Sequence, residues 1–199
     1  MRCFLSICQQ QIALYYSKQL AADQPLAGAK DLNWPAAIRF IQACQNKDGG
    51  MLYLPDRSPA GSVTNASGQV SLRSYGSISY AGFLSYIYCS LSPEDPRVTA
   101  VFNWLLDNYT VDENPGMGQA GYYYYLHLMA KGLTACNSDY LHLKNGQTID
   151  WRRQLAMKLL NLQKTDGSWS NPNNRWWEHD PALVTSYSLL SLEMLYPKL

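Results

Sequence analysis

Three consecutive residues near the end of the chain, Glu178, His179 and Asp180, are of the types that move protons. A group that gives a proton to a leaving atom and a second that takes one back are the working parts of general acid–base catalysis. Asp180 also precedes Pro181, and that pair marks a helix start, with Asp capping the first turn and proline inside it. His127 is the other candidate. It lies in the almost uncharged segment from Gln119 to Leu133, beside the run Tyr122 to Tyr125. A buried imidazole needs a hydrogen-bond partner, which a tyrosine can supply equally well in a site or in a core. Around these stand residues able to hold a ligand: Arg73, Tyr75, Gln119, Tyr124 and His179, with Arg175 as a further cation. Arginine attracts anions, and tyrosine faces attract cations and apolar groups. Either kind of residue is also ordinary, arginine as a solvated loop residue and tyrosine as core.

The elements that would position these residues alternate along the chain. Tyr75 to Leu91 has no charge, and Gln119 to Leu133 has only Lys131 near its end. A helix without charge is buried around most of its circumference. Between them, Asp95-Pro96 starts a helix with Val98, Val101, Phe102, Leu105 and Leu106 on one face, and Asp150 starts another with Trp151, Leu155, Ala156, Leu159 and Leu160 as its stripe. A helix over about 35–46 is amphipathic in the same way, and residues 3 to 21 carry a single charge, Lys18. Charge-poor helices therefore alternate with two-faced ones, as in an inner and an outer layer of helical hairpins. The connections from outer to inner helices, 48–74, 109–118 and 166–180, deliver the chain to inner-helix N-termini, whose free N–H groups suit an anion. The long polar segment 51–73 predicts an ordered loop or a lid.

Composition narrows the partners. A net charge of +1 with 16% charged residues gives no footprint for nucleic acid. The 15 Tyr and 6 Trp point to thick helix packing or an aromatic cavity. Cys3, Cys8, Cys44, Cys89 and Cys136 are scattered, with no Cys-x-x-Cys pair, and read as small reduced core residues. No metal site and no cofactor are expected. No run is apolar enough to span a bilayer, and residues 1 to 17 lack the pattern of a secretory signal, so a cytoplasmic location is expected, with secretion left open. Asn65-Ala-Ser67 and Asn108-Tyr-Thr110 fit the glycosylation acceptor pattern, a match short enough for chance.

The turn Asp48-Gly49 returns as Asp166-Gly167, 118 residues later, and Asn114-Pro-Gly116 falls between them. A unit repeating about every 60 residues, unable to bury its inner face alone, must stack on its neighbours. Gln163-Lys-Thr-Asp-Gly167-Ser-Trp169 resembles the Gln-x-x-x-Gly-x-Trp repeat of squalene and hopene cyclases, and Gln45-Asn-Lys-Asp-Gly49-Gly-Met51 is similar to it, with Met in the Trp place. Thr185 to Leu192 resembles the last inner helix of protein prenyltransferase β subunits. The chain thus looks like a member of the prenyltransferase and squalene-oxidase repeat superfamily. The resemblance implies an all-α fold, an α/α toroid with inner and outer helices. Gln163, Gly167 and Trp169 would then be architectural.

That fold normally closes with more hairpins than this chain supplies. One domain over 1–199 is expected, an open partial toroid with hairpins at 35–92, 96–134 and 150–197. Residues 1–34 would be an unpaired inner helix plus linker, and the ring would be completed by another copy, by a missing N-terminal half, or not at all. The catalytic signatures of the superfamily do not carry over. There is no Asp-x-Asp-Asp proton donor, Val184 stands where the prenyltransferases place a zinc-binding His, and Cys136 and Asp139 have the wrong spacing for the other zinc ligands. Whether the chain is an enzyme is left open. The first expectation is a terpenoid-cyclase-like protein holding an isoprenoid or other hydrophobic small molecule between inner helices, with Asp180, His127 and Glu178 as candidate catalytic residues. The alternatives are a non-catalytic interaction module, including a homo-oligomer, and a polysaccharide lyase or hydrolase using Glu113, Glu178 and Asp180.

Overall fold

A computed structural model of the protein describes residues 33–199, so the reading of the chain before Asn33 lies outside the described residues. In chain order the helices are α1 (Trp34–Ala43), α2 (Gly76–Tyr88), α3 (Pro96–Asp107), α4 (Tyr122–Ala135), α5 (Trp151–Leu162) and α6 (Pro181–Leu195). The fold is mainly α-helical. It also contains two short antiparallel hairpins, β1 (Ser62–Thr64) with β2 (Val70–Leu72), and β3 (Leu141–His142) with β4 (Thr148–Ile149). These strands are small additions to the mainly helical fold that the sequence predicts. Each is only two or three residues long, and apart from Leu72, Leu141 and Ile149 their side chains are exposed, so neither left an apolar alternation to read.

The charge-poor helices lie together. Helix α4 sits between α2 and α6 and packs on both, while α1 and α3 pack on α2, and α5 packs on α6 and α4. In α2 every residue except Ile87 is buried, which is what its lack of charge demands. Its polar side chains stay satisfied without leaving the helix: Ser79 and Ser85 donate to the carbonyls of Tyr75 and Ala81, each at 2.8 Å. Helix α6 departs from the pattern. Only Val184, Ser188, Ser191 and Leu195 are buried in it, and Leu189 and Leu190 face outward, because no described element packs on that side.

The amphipathic helices begin as their sequences dictate. Asp95, Asp150 and, on charge-poor α6, Asp180 each accept a hydrogen bond from an amide of the first turn: Arg97 N at 2.9 Å, Arg153 N at 3.1 Å and Ala182 N at 2.9 Å. Helices α2 and α4 have no such residue of their own. Tyr75 and Gly121 occupy their cap positions and give no side-chain hydrogen bond. The cap is supplied from the loop one hairpin further on: Asn114 Oδ1 accepts from Ser77 N at 2.9 Å, and Glu178 Oε1 accepts from Tyr124 N at 2.8 Å.

The repeated turn recurs in detail. In the last copy Gln163 Nε2 donates to Gly167 O at 2.9 Å, and in the first copy Gln45 Nε2 donates to Gly49 O at 3.1 Å. Both glycines adopt positive φ, +84° and +91°, which a side chain would resist. Trp169 N donates to Thr185 Oγ1 at 3.1 Å, and Met51 N donates to Ser79 Oγ at 3.0 Å, each reaching the first turns of the following charge-poor helix. A third copy keeps the backbone alone: Asn114 N to Gly118 O at 2.8 Å matches Asn46 N to Gly50 O and Lys164 N to Ser168 O. Trp169 is structural, since its buried indole donates to Leu159 O at 2.7 Å and ties the turn to α5.

The segment 51–73 is not simply a polar loop. Met51, Leu52 and Leu54 are core residues, and only from residue 55 on does the chain run over the surface into the β1–β2 hairpin.

Candidate functional site

Where the N-terminal ends of α2 and α4 meet, a cavity of about 360 Å³ opens between them and the segment 53–59. Its walls are built from residues far apart in the chain. Tyr75 and Ile78 come from the start of α2, Tyr124 from α4 and Tyr187 from the second turn of α6. Tyr53, Arg57 and Pro59 line it from the segment 53–59, and Arg175, Trp176 and Glu178 from the segment before α6. Four tyrosines and a tryptophan give it broad apolar and π surfaces, and two guanidinium groups lie at the more exposed positions.

The segment 175–178 is shaped by backbone strain. Trp176 and Trp177 both have positive φ, +58° and +69°, a region bulky side chains avoid. This conformation turns Trp176 toward Gly121, Arg175 stacks its guanidinium 4.7 Å from the Trp176 ring centroid, and Glu178 passes into the interior. Gly121 is required here twice over. Its φ is +67°, and a Cβ on it would stand 2.9 Å from the Trp176 ring.

Glu178 is 1% exposed. Besides the Tyr124 amide it accepts a hydrogen bond from Asn171 Nδ2 at 2.7 Å, and Asn171 in turn donates to Gln119 O at 2.7 Å. Burial raises its carboxyl above the usual carboxylate range, while the amide of Tyr124 and the side chain of Asn171 pull it back down. Both oxygens are therefore engaged in holding α4 and its own loop.

His127 does not line the cavity. Its ring stacks on Tyr187 with centroids 5.4 Å apart, and Tyr187 in turn packs against Tyr124 at 5.7 Å. Nδ1 of His127 lies 3.3 Å from Ser191 Oγ, whose proton goes to Tyr187 O at 2.6 Å, so Nδ1 is the donor to Ser191. Burial, with a smaller contribution from Lys131, lowers the imidazole to about 4, and His127 is neutral near pH 7.

The structure thus brings together Tyr75, Tyr124, Arg175 and Glu178 and leaves other candidates elsewhere. Asp180 is exposed and caps α6, and His179 is exposed beside it. Gln119 donates its side chain to Asp112 O at 2.9 Å and reaches the site only through its carbonyl. Arg73 lines a separate polar groove of about 650 Å³ beneath the β1–β2 hairpin, with Asp48 and Trp104. The N–H groups expected to receive an anion are partly taken: Ser77, Tyr124 and Ala182 donate to Asn114, Glu178 and Asp180.

Sequence reasoning missed Tyr53, Arg57, Pro59 and Tyr187 as lining residues. Arg57 had a local signal, because Leu-Pro-Asp-Arg is a turn sequence and Leu54 and Arg57 pair through two backbone hydrogen bonds of 3.1 Å. Burial raises the thiols of Cys44, to about 12, and Cys89, to about 11, which removes them as nucleophiles. Among the described residues no three His, Cys, Asp or Glu side chains group as a metal site, and no helix is long and apolar enough to cross a membrane. Comparison with protein-family models, with curated proteins and with solved structures finds no match.

Proposed function

We propose that the chain is an open, partial α/α toroid of the prenyltransferase and squalene-oxidase repeat type that binds a hydrophobic small molecule, an isoprenoid among the candidates, in the cavity between α2, α4 and α6. The single observation that carries the proposal is the aromatic wall formed by Tyr53, Tyr75, Tyr124, Trp176 and Tyr187 around one concave space. Its volume is at the lower end of the roughly 300–1,000 Å³ usual for small-molecule sites. The recurrence of the Gln–Gly hydrogen bond and of the link from position 51 or 169 to the next helix supports the repeat reading.

Binding is favoured over turnover. Glu178 is the one carboxylate lining the cavity among the described residues, and both of its oxygens are committed to structural hydrogen bonds. A sugar-cleaving site would need a carboxylate pair, and Glu113 and Asp180 stand outside the cavity. A second reading, an interface to another copy, is favoured by the outward-facing Leu189 and Leu190 of α6.

Native mass spectrometry of the chain purified from cell lysate tests both. The expected result is a protein peak carrying a bound lipid-sized adduct that is lost in Tyr124→Ala and Tyr187→Ala. A monodisperse, adduct-free monomer would sink both readings.

A further inference from the structure

The row of charge-poor helices has one bare end. Helix α6 packs on α4 and α5 and turns Leu189 and Leu190 outward, 54% and 48% exposed. Of the eleven large apolar residues exposed among the described residues, eight belong to the last unit, from Met157 to Leu199, and none lies in α1 or α2. The α2 end of the row is closed, since every residue of α2 but Ile87 is buried. Exposed apolar surface is thus gathered at one edge, where contiguous patches mark interaction sites.

The repeat identifies which face of α6 is bare. Helix α4 receives α6 through Tyr124 and His127, its third and sixth residues, which meet Tyr187 and Ser191. The third and sixth residues of α6 are Leu183 and Ser186, and Leu190 and Glu193 continue the same stripe over the next two turns. Leu183 is half-buried and the other three are exposed. Helix α6 therefore presents to solvent the counterpart of the face by which α4 holds its neighbour.

We infer that this edge pairs with the same edge of a second copy, α6 against α6 about a two-fold axis, with the two helices antiparallel. The inference deepens the second reading above, the interface to another copy, and adds its surface and symmetry. A head-to-tail assembly needs two different complementary edges, and only one is bare, so the contact is isologous. Charge sets the direction. Glu193 is the sole charged residue of α6. Parallel helices would lay Glu193 against its own image, whereas antiparallel helices centred between Leu189 and Leu190 lay it against Ser186 of the second copy. That half of α6 holds the positive end of the helix dipole. Lys164 stands at the same end, in the turn whose Trp169 amide donates to Thr185 Oγ1. Leu189 of each copy then meets Leu190 of the other at the axis, an apolar centre with charge at its rim.

Analytical ultracentrifugation of the full chain over a concentration series reads the stoichiometry, and a monomer–dimer equilibrium is expected. L189D/L190D, at two exposed positions, is expected to weaken the dimer on the order of tenfold or more, because carboxylates would be buried at the axis. V70D, at a 68% exposed residue of the β1–β2 hairpin, should leave it unchanged. E193K should weaken the dimer and E193K/K164E recover it. Direction is read by cross-linking, which does not depend on those variants: oxidised S186C/E193C is expected to form a covalent dimer that neither single variant forms beyond the native level. A monomer at every concentration would overturn the inference, and maleimide labelling of L189C would then tell an open edge, reactive, from one covered by residues 1–32, protected. A dimer unmoved by L189D/L190D would overturn the edge while leaving the copy reading in place, and a covalent dimer from S186C alone would overturn the antiparallel direction. A lipid adduct in any of these cases leaves the ligand reading untouched.

Discussion

Glu178 Oε1 accepts the amide hydrogen of Tyr124 at 2.8 Å, a contact between residues 54 positions apart that gives α4 the cap its own Gly121 cannot provide. Removal of an N-cap acceptor typically costs about 0.5–2 kcal/mol. Glu178→Ala is therefore expected to lower Tm by about 2–6 °C for a chain of this size. Glu178→Gln keeps the oxygen for Tyr124 but sets an amide against Asn171 Nδ2, and should fall between the two. Thermal unfolding followed by circular dichroism decides, and an unchanged Tm in Glu178→Ala would show that the contact does not support α4.

His127 predicts an acid-side loss of stability. Its folded-state pKa is about 4, below the ordinary 6.5, so the unfolded chain binds the proton more readily. Stability from this group is complete above about pH 6.5 and declines as pH falls toward 4, by roughly 2–3 kcal/mol in total. Glu178, raised by burial, has the opposite slope and loses stability as pH rises through the carboxylate range toward its folded value. Urea unfolding at a series of pH values should show the His127 decline in the native chain and a flatter curve in His127→Gln. Two superimposable curves would remove His127 as the source.

Trp169→Phe tests the repeat turn. Phenylalanine fills most of the same space but leaves Leu159 O without the indole donor, 2.7 Å away in the native chain, and an unsatisfied buried carbonyl costs about 1–3 kcal/mol. A loss of that size in urea midpoint at constant slope is expected. No change would mean that the carbonyl finds another partner.

Gly121→Ala couples the fold to the cavity. Alanine meets both an unfavourable φ and the Trp176 ring at 2.9 Å, and either the ring moves or the first turn of α4 shifts. The expected outcome is a destabilisation of about 1–2 kcal/mol together with a changed tryptophan emission, because Trp176 leaves its place. A destabilised protein with unaltered emission would separate the backbone effect from the ring contact.

Much of the helical arrangement was legible because a missing charge is a direct statement about surroundings. Tyr75 to Leu91 could not face water on any side, and α2 buries all but Ile87. The caps Asp95, Asp150 and Asp180 were legible because an N-cap is a contact within three residues. The cavity was not, because its walls are set by packing across the chain: Tyr187 meets Tyr124 only when α6 lies on α4, and Arg57 arrives from a segment whose Gly, Ser and Pro content hid the buried Met51, Leu52 and Leu54. His127 was legible as a buried ring in need of a partner, in a site or in a core, but the partner was not, because Ser191 and Tyr187 reach it only when α6 packs on α4.

The borrowed caps also bear on how the protein comes apart. Asn114 fastens the start of α2 and Glu178 the start of α4, so each of these helices depends on a residue that is synthesised after it. A truncation after residue 163 would leave the first turn of α4 bare as well as deleting α6. Peeling of one unit from the end is thereby discouraged, and the described hairpins are expected to melt as a single cooperative block.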